Sequence, residues 1–268
     1  MVTPVEQLRD LLSRPDPLPL DRAVACLNAV EQPGVEADAV LGELDQLARG
    51  LHLPTSAPLF ERVARLHHHL FETHGFLGEH DRYDAPENSL LTEVLRSRRG
   101  LPITLSVVYL AVAERVGLPA DAIGFPGHFL VSPQPTDDAP RFYVDPFYGG
   151  RVRRGTTLRD RLRKLKVPDR EHDRWLAPVD ARAVLVRMSH NLRASYARRE
   201  RFEDALRQVD RLLLIEPDHA EHHRMRGLLC KQIGAHPQAV AALHRALELD
   251  PEAPERAATE RLIRELGD

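Results

Sequence analysis

The stretch R-R-G-L-P-I-T-L-S-V-V-Y-L-A-V-A-E-R-V-G-L-P-A, residues 98–120, decides the fold together with G-F-P-G-H-F-L-V at 124–131 and F-Y-V-D-P-F-Y-G-G at 142–150. Pro102 suits the first turn of a helix, where a missing N–H costs nothing. Leu105, Val108, Tyr109, Val112 and Val116 then mark a buried face up to the stop at Gly117. The segment is apolar on most sides, which predicts a central helix. Beyond it the pattern shortens to strand-like pieces at 122–125, 128–132 and 141–144, separated by Pro126-Gly127 and by a polar, proline-bearing loop from Pro133 to Pro140. His128 is thus expected to open one strand and Asp145 to close the next. Helices followed by clustered antiparallel strands imply an α+β domain.

Working outward toward the N-terminus, apolar residues recur at helical spacing through Val5, Leu8 and Leu11, then Ala23, Leu27 and Val30, then Val40, Leu44 and Leu47. Prolines at 15, 17, 19 and 33 separate these segments, predicting a helical extension over residues 1–55. Further helices are expected through Leu59, Val63, Leu66 and Leu70 and through Leu90 to Leu95, the latter started by Pro86-Glu87-Asn88-Ser89. The α+β core is placed at 56–178. Beyond Ala181 all segments have helical spacing, and an internal repeat is visible. Ala205 and Ala239, Ile215 and Leu249, Glu216 and Asp250, and Pro217 and Pro251 stand 34 positions apart, the period of a tetratricopeptide repeat. Tyr196 and Phe202 in the first copy correspond to Cys230 and His236 in the second. Residues 182–268 are therefore expected to form a short all-α array.

The formal net charge is −3, with acids and bases dispersed in small groups, so nothing calls for nucleic acid or an anionic membrane. The first residues lack the pattern of a signal peptide, and no stretch approaches the ~20 apolar residues of a membrane span. A cytoplasmic protein is expected. Cys26 and Cys230 lie far apart in helical patterns and are expected to be buried, reduced thiols. No cofactor is expected.

The run from Arg99 to Ala120 resembles the core helix of the transglutaminase-like superfamily, in which R-G-x-C opens a helix that closes on a G-[IL]-P-A phrase. Laying Gly117-Leu118-Pro119-Ala120 on that phrase puts Pro102 where the catalytic cysteine would stand. His128 then falls on the superfamily's histidine and Asp145 on its aspartate. The finer pattern, from Asn88-Ser89 through Arg99-Gly100-x-Pro102-Ile103 and Pro126-Gly127-His128 to Asp145-Pro146-Phe147-x-Gly149-Gly150, resembles the SirB-type branch, which carries such a domain ahead of tetratricopeptide repeats. The resemblance implies a papain-like Cys-His-Asp layout without its nucleophile.

A papain-like site needs a thiolate at a helix N-terminus beside an oriented imidazole. Pro102 supplies neither thiol nor N–H. Thr104, about 200° round the helix, points elsewhere. Ser106 shares the face of Pro102 but sits about 6 Å deeper along the axis. The favoured expectation is a non-catalytic module that takes a protein or peptide partner in the groove of the repeat array. The alternative is a hydrolase or acyl transferase using Ser106 or water with His128 and Asp145. A structural role of His128 and Asp145, tying two strands together, is weighed beside both. Binding candidates are Arg99 and Asn88 near the nucleophile-free cleft and Tyr196 and Phe202 in the repeats.

Two histidine groups invite a metal. His67, His68 and His69 point about 100° apart on a helix, so they cannot chelate one ion as a unit. His219 and His223 have i,i+4 spacing beside His222, yet no third ligand is evident from spacing alone. A solvated or partly packed helix face is expected for the first group and a surface position for the second, with no metal at either. Arg98-Arg99 and Arg151-Arg153-Arg154 are expected to be surface arginines, and Gly149-Gly150 a tight turn.

Overall fold

A computed structural model describes residues 3–14, 17–135 and 141–267. The chain divides into two compact units, Met1–Val184 and Leu185–Asp268, with the boundary inside one helix. The first unit begins with α1 (Pro4–Ser13), α2 (Leu20–Glu31) and α3 (Ala37–Ala48). A capping box starts α1: the Thr3 hydroxyl accepts from the Glu6 N–H while the Glu6 carboxylate accepts from the Thr3 N–H. These helices belong to the same compact unit as the segment that follows.

Next come α4 (Leu59–His67) and a π-helical turn over His68–Thr73, which carries the helix beyond the expected end at Leu70. Then follow β1 (Leu77–Gly78), a 3₁₀ turn at Pro86–Ser89, α5 (Leu91–Ser97), β2 (Arg99–Gly100) and α6 (Pro102–Arg115). The expected start signal of α5 is thus a turn of its own, because Leu90 between them is extended at φ −96°, ψ 121°. As the sequence predicts, α6 starts on a proline and is central: every residue from Pro102 to Ala113 is buried. Helices α2, α3 and α5 pack on it, as do two strands of the main sheet.

That sheet comprises β3 (Ala120–Ile123), β4 (Leu130–Pro133), β5 (Phe142–Asp145), β6 (Arg151–Arg154) and β7 (Pro178–Val179) in the order β6-β5-β4-β3-β7, antiparallel throughout. Helices α7 (Gly155–Lys164) and α8 (His172–Leu176) contribute Leu158, Leu162 and Leu176 to a buried cluster with Ile123, Phe125, Leu130 and Tyr143. Alternation along the strands leaves the opposite face for α6.

The strand bounds differ from the expectation, and β5 runs one residue later than expected, over Phe142–Asp145. β3 begins two residues earlier and ends two earlier. His128 precedes β4 rather than opening it, because Pro126 and Gly127 (φ +65°) make a turn in which the His128 N–H donates to the Phe125 carbonyl. β6 and β7 went unread, because a four-residue edge strand of Arg-Val-Arg-Arg and a two-residue one lack apolar alternation. Part of the expected Pro133–Pro140 loop, residues 136–140, lies outside the described residues.

The second unit is all helical, completing α9 (Ala181–Ala197) and continuing with α10 (Phe202–Ile215), α11 (Ala220–Gln232), α12 (His236–Leu249) and α13 (Arg256–Gly267). The 34-residue period appears as matched turns after α10 and α12. Glu216 N–H donates to Leu212 and Asp250 N–H to Ala246, each closing its helix. Gly227 lets α11 approach α12: a Cβ there would lie 2.5 Å from Leu243 Cγ. Cys26 and Cys230 are both buried and unpaired. Among the described residues no helix is long and apolar enough to cross a membrane.

Candidate functional site

His128 and Asp145 come together at the sheet, as the resemblance to the transglutaminase-like superfamily implied. His128 Nε2 lies 2.8 Å from Asp145 Oδ1, with the carboxylate 1 % and the imidazole 7 % exposed. The second carboxylate oxygen accepts from Arg153 at 3.4 Å. In the β5–β6 ladder Arg151 stands opposite Asp145, so Arg153 is two residues on and shares its face. A buried carboxylate is thereby shared between an imidazole and a guanidinium.

Around this pair the chain builds an aromatic wall. Phe147 meets the His128 ring edge-on at 6.0 Å, and Tyr148 lies at 6.0 Å from it with a 35° tilt. His80 contacts both Phe147 (4.7 Å) and Tyr148 (5.8 Å), and Tyr83 reaches Phe147 at 5.9 Å. Phe147 is buried, whereas Tyr83 and Tyr148 are 42 % and 48 % exposed. Gly78 allows this: a Cβ on it would sit 2.6 Å from the Phe147 ring.

The turn carrying Phe147 and Tyr148 ends on Gly149 and Gly150, both at positive φ, and the Gly150 N–H donates back to the Asp145 carbonyl at 2.9 Å. Beneath Gly150 lie Phe71 and His67, and His67 Nε2 is 3.2 Å from the Tyr109 hydroxyl of α6. Burial pushes the His67 imidazole down to about 4 and the Tyr109 hydroxyl up, so both are neutral at pH 7.

The start of α6 carries no thiol. Pro102 is its first residue and is buried. The Thr104 hydroxyl donates to the Asn88 carbonyl at 2.9 Å, and the Ser106 hydroxyl donates back to the Pro102 carbonyl at 2.8 Å. Both hydroxyls are therefore engaged with backbone oxygens. Asn88 is itself buried, and its amide donates to the carbonyls of Arg82 (2.5 Å) and Tyr83 (3.2 Å), fixing the loop that presents Tyr83. Arg99 is exposed on β2.

Tyr196 is 3 % exposed, with the Arg201 guanidinium over its ring at 4.6 Å, so it packs inside the repeat unit. Phe202 is half-buried at the start of α10. A separate cavity of about 610 Å³ lies along the later part of α6, lined by Leu18, Val107, Leu110, Ala111, Pro119 and Val179 among others; neither His128 nor Asp145 borders it.

The sequence reading expected Arg153 at the surface, whereas it donates to the buried Asp145 carboxylate, and it did not single out Tyr83 or Tyr148. The signal for Arg153 was its place two residues along the ladder, which needs the β5–β6 register to be known. Histidines 67 to 69 diverge as expected: His67 to Tyr109, His68 to Glu72 and His69 to the Leu47 carbonyl. By contrast Glu216, His219 and His222 bring ligand atoms within 4.8 Å of one another.

Residues 38–190 match the transglutaminase-like superfamily, and residues 192–264 match the tetratricopeptide repeat. A UPF0162 protein from Xylella fastidiosa is 40 % identical over 194 residues, 71 % of this chain and 68 % of that protein. Another UPF0162 protein, from Pseudomonas aeruginosa, is 30 % identical over 257 residues, covering 94 % of this chain and 92 % of the relative. F-box only protein 21 of Mus musculus is 26 % identical over 174 residues, 63 % of this chain but 28 % of that longer protein.

Proposed function

Because the chain belongs to the transglutaminase-like superfamily and to the UPF0162 family, we propose that it is a non-catalytic protein-binding module, of the SirB-type branch and cytoplasmic, whose repeat helices take a partner segment. The observation that carries the non-catalytic part is the start of α6. A buried proline stands where the superfamily layout puts a thiol, and the hydroxyls of Thr104 and Ser106 both donate to backbone carbonyls. A base without a side-chain nucleophile has only water to activate. His128, Asp145 and Arg153 then serve as a buried polar tie between the β4 approach, β5 and β6.

A hydrolytic reading is favoured by one observation, the 2.8 Å imidazole–carboxylate bond, which also orients a general base for water. One experiment separates the two. Wild type, His128→Ala and Ser106→Ala proteins are assayed against ester, amide and isopeptide substrates. The non-catalytic proposal expects no turnover in wild type that either substitution removes. Turnover lost in His128→Ala, with the fold intact by circular dichroism, overturns it. For the binding half, Leu228→Asp on the exposed side of α11 is expected to weaken capture of a cross-linked partner without changing thermal stability.

A further inference from the structure

The first repeat turn holds a side-chain set that the turn itself does not require. Glu216 caps the end of α10, His219 caps the start of α11, and His222 lies in the first turn of α11. Their ligand-type atoms lie within 4.8 Å of one another, and His222 Nδ1 is 3.6 Å from Glu216 Oε2. The rings of His219 and His222 stack at 4.0 Å between centroids, and His190 of α9 brings a third imidazole to 5.3 Å from that of His222. His222 is 1 % exposed, yet its Nδ1 has no hydrogen-bond partner. A buried, unsatisfied imidazole nitrogen aimed at a carboxylate calls for an explanation.

The second repeat supplies an internal control. The turn after α12 closes with the same hydrogen bonds: Ala253 N–H to Asp250 and Arg256 N–H to Ala253 match His219 N–H to Glu216 and His222 N–H to His219. At the positions of Glu216, His219 and His222 it carries Asp250, Ala253 and Arg256. The turn therefore forms without any histidine, and the three residues of the first copy are free to serve a ligand.

We propose that Glu216, His219 and His222 form a binding site for a divalent transition metal of the zinc class, with His190 or water completing the coordination. Two imidazoles and one carboxylate are a known zinc donor set, with bonds of about 2.0–2.2 Å that place tetrahedral ligand atoms roughly 3.4 Å apart. The 3.6 Å between His222 Nδ1 and Glu216 Oε2 is already close to that span, and half-exposed Glu216 and exposed His219 turn inward by side-chain rotation. Zinc takes a neutral imidazole, and the Nδ1 of buried His222, unsatisfied and 3.6 Å from the Glu216 carboxylate, is placed to act as a ligand. The ion ties the end of α10 to the start of α11 across a turn that backbone hydrogen bonds already close. This site is independent of the non-catalytic proposal for the core.

The test uses the full-length, tag-free chain stripped with chelator, titrated with zinc by calorimetry and with cobalt(II) followed by its visible absorption. One equivalent of zinc is expected to bind at micromolar concentration or tighter, with cobalt(II) bands of tetrahedral or five-coordinate intensity. His219→Ala and Glu216→Gln, at positions that are not buried, are each expected to weaken binding at least tenfold, while His68→Ala in the other histidine group leaves it unchanged. Absence of stoichiometric binding overturns the proposal. So does binding that survives both His219→Ala and Glu216→Gln, because the ion is then held elsewhere.

Discussion

His67→Gln gives a sharp test of how the core beneath the candidate site is held. In the folded protein burial lowers the His67 imidazole to about 4, against about 6.5 in an exposed chain. Between those values the unfolded chain binds the extra proton and the folded one does not, so stability falls as pH drops from 6.5 toward 4 and is unaffected above that window. Integrating the linkage from pH 7 to pH 5 with those two values, the wild-type protein loses about 2 kcal/mol through this one residue. Glutamine keeps a polar group within reach of the Tyr109 hydroxyl but has no proton to take up. The stability gap between wild type and His67→Gln, whatever its size at pH 7, is therefore expected to narrow by about 2 kcal/mol at pH 5. The chain's one tryptophan, Trp175, packs against the core cluster of the first unit, so urea unfolding followed by its fluorescence reports that unit. Titration of other groups is common to both proteins and cancels in the difference. An equal gap at pH 7 and pH 5 would show that His67 is not held neutral by burial and would refute the account of the His67–Tyr109 contact.

Gly150→Ala is expected to destabilise the first unit by about 2–5 kcal/mol, because a left-handed backbone at φ +77° and a Cβ 2.4 Å from the Phe71 ring each add a cost. The same fluorescence-monitored unfolding checks it, and a loss under about 1 kcal/mol would mean the turn relaxes freely. Glycine-to-alanine exchange is also expected to change sign between two helices. Gly42 in α3 has open space where a Cβ would go, so alanine there gains about 0.5–1 kcal/mol. At Gly227 the Cβ meets Leu243 Cγ at 2.5 Å and the Ala239 carbonyl at 3.1 Å, so the overpacking outweighs the helical gain and costs a net ~1–2 kcal/mol. Scanning calorimetry of the two variants decides this, and a stabilised Gly227→Ala would refute the close approach of α11 and α12.

Much of the architecture was legible before any coordinates. The apolar run behind Pro102 announced a central helix, since only a buried helix tolerates apolar side chains all round. The 34-residue period announced the repeats, because stacked helix pairs reuse the same small and large positions. The meeting of His128 and Asp145 followed from the resemblance rather than from spacing alone. What stayed hidden were features without local periodicity. The arginine-rich β6 has no apolar alternation to mark it, and without its register Arg153 could not be placed on Asp145.

The chain by itself determined which residue types stand where chemistry would occur: a proline and no thiol at the start of α6, and hydroxyls only at Thr104 and Ser106 close behind it. Tertiary structure decided what those groups do. Burial leaves the two hydroxyls only backbone carbonyls to satisfy, divides the Asp145 carboxylate between His128 and Arg153, and sets Tyr83 and Tyr148 outward beside them. It also brought Glu216 to His219 and His222 across the turn between two helices, a proximity that helical spacing cannot express because Glu216 and His222 belong to different helix axes.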